Sequence, residues 1–158
     1  MILMTLLAAA DGSAADSFTG AVKKIIDGDS LLIATPTEII EVRLYGIDCP
    51  EYRQPYSRAA KKYVKASVSG SGVRVHSYYD DPYGRKISMV FIGDKMLNGE
   101  LVEAGFAWVH PAYCRKPICT EWKDKEERAR KEKKGLWQEQ NAMPPWQWKS
   151  MKKGTRGG

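Results

Sequence analysis

The chain has 158 residues, 43% of them hydrophobic and 28% charged, which excludes wholesale disorder and suits one domain around a single core. Lys and Arg number 25 against 19 Asp and Glu, a formal charge of +6 that favours an anionic partner, nucleic acid being the commonest. Much of the excess is local, because the last ten residues hold Lys149, Lys152, Lys153 and Arg156 and no acid.

The chain starts apolar through Ala10 and turns small and polar, with Ser13-Ala14-Ala15 ahead of Asp16. The apolar run falls short of the roughly 20 residues that span a bilayer, so no membrane partner is expected. Residues 1–15 read as the rear of a secretory leader that lacks its basic start, or else as a frayed terminus. The leader reading places the protein outside the cytoplasm, periplasmic or secreted; the frayed terminus leaves it cytoplasmic.

Ala21 to Ile26 reads as a strand that turns at Asp27-Gly28-Asp29, followed by a second strand from Ser30 to Ala34. Ile39 to Tyr45, rich in β-branched residues and closed by Gly46, is a third, and the short turns between them predict a meander. Tyr56, Ala59, Ala60, Tyr63 and Val64 then recur at helical spacing, with Lys61, Lys62 and Lys65 on the other side, until Ser69-Gly70-Ser71-Gly72. Strands over Val73–Tyr78 and Lys86–Ile92 flank the polar turn Asp80 to Gly84. A short helix over Leu97–Ala104 stops at Gly105, and a charged helix over Glu121–Lys134 has little but Trp122 and Ala129 to bury. Residues 150–158 read as a basic disordered tail. Five short strands with a helix between the third and fourth predict an α+β fold for residues 16–149, a five-stranded OB-fold β-barrel with about three α-helices. One such domain is expected to act as a monomer.

Of three cysteines, Cys114 and Cys119 close a short loop and suit a disulfide in an oxidising compartment. His110 precedes them, but zinc needs four ligands and no second Cys/His pair is near. The only other histidine is His76, which speaks against a histidine-metal nuclease, and no phosphate-binding Walker loop is present.

Carboxylates gather at strand ends: Asp27 and Asp29 around Gly28, and Asp48 and Glu51 in Gly46-Ile47-Asp48-Cys49-Pro50-Glu51. Such groups repel one another, so they persist where a cation neutralises them, and oxygen donors indicate a hard one such as Ca²⁺ or Mg²⁺. Arg43 leads into Asp48 and Arg85 follows Asp81-Pro82-Tyr83-Gly84. A guanidinium grips phosphate as a fork and stays charged at any working pH. Singly, each piece is what a turn, a helix cap or a surface ion pair would use. Together and in order they equip phosphodiester cleavage.

The ordered set Ile26-Asp27-Gly28-Asp29-Ser30, Val42 to Glu51 and Asp81-Pro82-Tyr83-Gly84-Arg85 resembles the staphylococcal nuclease-like (thermonuclease) family. Leu101 to Val109, Lys134-Gly135-Leu136-Trp137 and Pro144 to Lys149 are similar to later parts of it, so the likeness spans about residues 20–149. The resemblance implies an OB barrel that cuts DNA and RNA with Ca²⁺ and leaves 3′-phosphate ends. It further implies Asp29, Asp48 and the backbone carbonyl of Cys49 as metal ligands, and Asp27 as a residue that orients them. By the same likeness Glu51 is the general base, Arg43 and Arg85 bind phosphate, and Tyr83 and Tyr113 contact the nucleotide. Trp146 and Trp148 are read as apolar anchors for the C-terminus, with base stacking the other possibility. The competing function is a non-catalytic OB module that binds nucleic acid or protein, but such domains typically lack this acidic and arginine set.

Overall fold

The structure, a computed structural model, describes residues 16–154. β1 (Asp16–Ile25), β2 (Ser30–Ala34) and β3 (Ile39–Leu44) form the expected antiparallel meander, with Leu31, Ile33, Val42 and Leu44 pointing inward at alternating positions. β4 (Ile47–Asp48) follows, then α1 (Ser57–Val68), which buries Ala60, Val64 and Val68 on one face and leaves Lys61, Lys62 and Lys65 exposed. β5 (Gly72–Asp80) and β6 (Lys86–Ile92) complete the barrel: β1 pairs with β5, β5 with β6, and β6 runs parallel to β3. These pairings close five strands into the expected α+β OB barrel.

β7 (Lys95–Met96), α2 (Leu97–Glu103), β8 (Trp108–Val109), α3 (Ile118–Lys131), a 3₁₀ turn over Gly135–Gln138 and α4 (Pro145–Gly154) follow. The main core lies inside the barrel and beneath α1, α2 and α3. A smaller cluster of Trp108, Ala129, Leu136 and Trp137, with Tyr56 and Trp146 against it, fixes the C-terminal segment.

Several boundaries differ from expectation. β1 begins at Asp16 rather than Ala21, because Asp16 through Ala21 pair with Ser77 through Gly72 of β5, a long-range match that local pattern does not reveal. α3 starts at Ile118 and ends at Lys131, three residues before the expected Lys134. Lys133 takes the left-handed conformation (φ 51°) and the Lys134 N–H caps the Ala129 carbonyl, which ends the helix. The segment from Ser150 read as a tail continues α4 to Gly154; residues 155–158, like residues 1–15, where a secretory leader or a frayed terminus is expected, lie outside the described residues. Cys114 and Cys119 are disulfide-bonded, and Cys49 is a free, buried thiol. No described helix is long and apolar enough to cross a membrane.

Candidate active site

Register brings the charged residues together. In β3, Arg43 lies opposite Ser30 of β2, so the turn carrying Asp27 and Asp29 arrives beside it. The Leu44 N–H donates to the Asp29 carbonyl at 2.8 Å and secures that approach. β3 also pairs Val42 with Lys86 of β6, which places Arg85 at the same end of the barrel. Asp48 comes in on β4, whose partner β8 delivers the following residue, His110, whose N–H donates to the Gly46 carbonyl at 2.8 Å. Gly46 is in the left-handed conformation (φ 72°), and a Cβ there would stand 2.7 Å from Cys114 Sγ, so the turn into Asp48 demands glycine.

Arg43 holds the centre. One terminal nitrogen pairs with Asp29 Oδ1 and the other donates to Asp48 Oδ1 at 2.6 Å. Both aspartates are only 2% exposed. The other Asp29 oxygen accepts the Cys49 backbone N–H at 2.6 Å. Asp27 Oδ1 accepts the Asp29 N–H at 3.0 Å, so Asp27 shapes the turn that aims Asp29. Burial, the largest influence, drives the Cys49 thiol well above its ordinary pKa; it stays neutral, and that residue serves the site through its backbone.

Arg85 is held separately. Its Nε donates to Asp81 Oδ2 at 2.7 Å, one terminal nitrogen reaches the same oxygen at 2.7 Å, and Asp81 Oδ1 accepts the Tyr83 and Arg85 backbone N–H groups. Burial alone would raise the Asp81 pKa, but the Arg85 and Tyr83 hydrogen bonds and the arginine charge outweigh it and hold the carboxyl below its ordinary value. Glu51 stands at the edge, its Oε1 2.8 Å from Lys149 Nζ of α4.

A cleft of about 730 Å³ joins these groups, with Arg43, Asp48, Arg85, Tyr83, Tyr113, His110, Trp146 and Lys149 in its walls. Tyr83 and Tyr113 are 84% and 63% exposed, free to meet a ligand. Asp29 and Glu51 are not wall residues: Asp29 communicates with the cleft through Arg43, and Glu51 through Lys149. His110 and Lys149 are not among the sequence candidates for the site, and Trp146 is expected as a C-terminal anchor, with base stacking the other possibility. His110 packs against Tyr113 and Trp146 with tilted rings, centroids 4.4 and 4.8 Å apart, so Trp146 anchors α4 and lines the cleft at once. The run Pro144 to Lys149 stands out by family likeness, but nothing local ties it to the acids, since α4 reaches the site only by folding back; His110 arrives through the β4–β8 pairing.

The donor chemistry fits a hard cation in part. Two buried carboxylates share one guanidinium, an anion excess that a divalent ion would offset, and the donor atoms of these acids are oxygen. Among the described residues no group of three or more His, Cys, Asp or Glu side chains is arranged to hold a metal. An ion here would therefore draw its remaining ligands from backbone carbonyl and water, as Ca²⁺ commonly does.

Residues 41–139 match the family described as staphylococcal nuclease homologue, a span that contains Arg43, Asp48, Glu51 and Arg85 but not Asp27, Asp29 or α4. An uncharacterized endonuclease of Escherichia coli O157:H7 is 34% identical over 134 residues, covering 84% of this chain and 86% of that protein. A micrococcal nuclease of Shigella flexneri is 32% identical over 145 residues, 86% of this chain and 83% of its own. A staphylococcal-like nuclease of Arabidopsis thaliana is 33% identical over 113 residues, 72% of this chain but 34% of the plant protein. With the closed barrel and the paired carboxylates and arginines at one end of it, these matches establish that the chain belongs to the staphylococcal nuclease-like family.

Proposed function

We propose that this nuclease hydrolyses phosphodiester bonds of DNA and RNA with Ca²⁺, as a monomer, leaving 3′-phosphate and 5′-hydroxyl ends. The observation that carries the reading is the pair of 2%-exposed carboxylates, Asp29 and Asp48, converging on Arg43 at a cleft that also holds Arg85. Asp29, Asp48 and the Cys49 carbonyl would hold the ion, with Asp27 orienting Asp29. When bound, the ion supplies Lewis acidity toward a phosphate oxygen.

The remaining work belongs to the chain's own groups. Glu51 takes a proton from the water that attacks phosphorus, in line with the departing 5′ oxygen. Arg43 and Arg85 donate to the equatorial oxygens as their charge builds, and both are pre-aimed, Arg43 by two aspartates and Arg85 by Asp81. Arg85 also eases departure of the 5′ oxygen. Tyr83 and Tyr113, exposed on the cleft walls, meet the nucleotide.

Digestion of single-stranded DNA and RNA with and without Ca²⁺, in wild type, Glu51→Gln and Arg43→Ala, tests this. Cleavage that needs the ion, yields phosphatase-sensitive 3′ ends and falls by about 10²-fold or more in each variant is expected. Cutting that survives chelation overturns the metal assignment, and tight binding without cutting in saturating Ca²⁺ restores the binding-module reading. Export is part of the same proposal: the Cys114–Cys119 disulfide supports an oxidising compartment. Mass spectrometry of the protein in its host should find the mature N-terminus downstream of Met1, and an intact cytosolic Met1 would refute export.

A further inference from the structure

α4 brings a third cation into the site. Lys149 Nζ stands 2.8 Å from Glu51 Oε1 and 3.8 Å from Asp48 Oδ2. An isolated surface ion pair would mean little. This one is different in two respects. Asp48 is a buried carboxylate, and its Oδ2 is the oxygen that Arg43 leaves open. The chain on either side of Lys149 is also tied to the Glu51 turn, by the Met143 carbonyl before it and the Lys152 side chain after it. Gln54 accepts the Glu51 N–H at 2.9 Å through Oε1 and donates through Nε2 to the Met143 carbonyl at 2.6 Å, while Lys152 Nζ reaches the Tyr52 carbonyl at 3.4 Å. The lysine is thus delivered to the two acids by a segment already docked on their loop.

We propose that Lys149 is a positioning residue, an internal cation that holds Glu51 and competes with a divalent ion for Asp48. The inference rests on the reading above that Asp48 is a ligand of such an ion. An arriving divalent charge repels the ammonium and takes its share of Asp48. The Lys149–Glu51 contact then loosens, so ion binding and release of the Glu51 carboxylate are coupled, and α4 feels the change.

Calorimetric titration of Ca²⁺ without nucleic acid, in wild type, Lys149→Met, Lys149→Arg and Lys153→Met, tests the competition. Lys149→Met should bind Ca²⁺ on the order of tenfold more tightly, the effect of removing one unit charge beside a divalent ion. Lys149→Arg should stay near wild type, and Lys153→Met, an exposed α4 lysine outside these contacts, should change little. Hydrogen exchange supplies a second readout: saturating Ca²⁺ should speed α4 amide exchange in wild type but not in Lys149→Met. Unchanged affinity in Lys149→Met, equal tightening in Lys153→Met, or α4 exchange indifferent to Ca²⁺ would each overturn the inference while leaving the nuclease assignment intact. Wild type that binds no Ca²⁺ yet still cuts nucleic acid would overturn it through its metal premise instead.

Discussion

The backbone N–H of Cys49 donates to Asp29 Oδ2 at 2.6 Å, fastening the first hairpin turn to the loop that carries Asp48 and Glu51. Hydrogen bonds to an ionised acceptor are short and strong, and this one is buried, where a missing donor would leave a carboxylate oxygen unpaired. It explains how acids from separate turns keep a common geometry. It also requires that the two backbones lie close, and Gly28 makes that approach possible.

A methyl group at Gly28 would fall 2.7 Å from Cys49 Cβ, 2.9 Å from its sulfur and 3.0 Å from Ala60 Cβ. Gly28→Ala should therefore cost about 1–3 kcal/mol of stability by overpacking and lower activity further by displacing Asp29. Urea unfolding and a nuclease assay check both. A substitution neutral in each would mean that the turn and the loop move apart freely.

Removing Arg43 leaves two buried carboxylates without their shared counter-charge. Arg43→Ala should destabilise by about 3 kcal/mol, read from thermal or chemical melts, and Ca²⁺ should recover part of that loss. Arg43→Lys keeps the charge but not the fork. It should melt closer to wild type and still lose most activity.

His110 supplies a pH readout. Burial, the largest influence, lowers its pKa below the ordinary value near 6.5; Arg43 and Lys149 push the same way and Asp48 opposes them. The fold thus favours the neutral ring. Its contribution to stability is complete above the unfolded pKa and is lost as pH falls through the lower folded value. An NMR titration should place the His110 midpoint below that of an unstructured histidine. Protonation should loosen the ring contacts of His110 with Tyr113 and Trp146, visible as a change in tryptophan fluorescence over the same interval.

The Cys114–Cys119 bridge closes a loop that carries Tyr113 at one end and starts α3 at the other. Chain-entropy reasoning gives a bridge over so short a loop about 2 kcal/mol. Reduction should lower the urea midpoint accordingly with little change in slope. A midpoint insensitive to reductant would show that Gly46 and Trp122 hold the loop without it.

Much of this protein is legible in local order. The apolar alternation of β2 and β3, the helical spacing of Ala60 and Val64, and the run Gly46 to Glu51 are set by neighbours a few residues away, so barrel, helix and candidate acids could be named before any coordinates. The ends of elements were less legible, because β1 extends as far as β5 offers partners and α3 stops where Lys133 turns left-handed. What tertiary structure alone decided is which charges meet. By sequence, Arg43 is one strand arginine among many possible ion pairs, and Lys149 is one of four cations in the last ten residues. Folding closes the barrel on β3 and β6, pairs β4 with β8 and returns α4 across Trp108 and His110, which puts Arg43 between two aspartates and Lys149 against Glu51. Charges interact through distance and burial rather than through sequence separation, so the +6 of the composition became informative only once each charge had a neighbour.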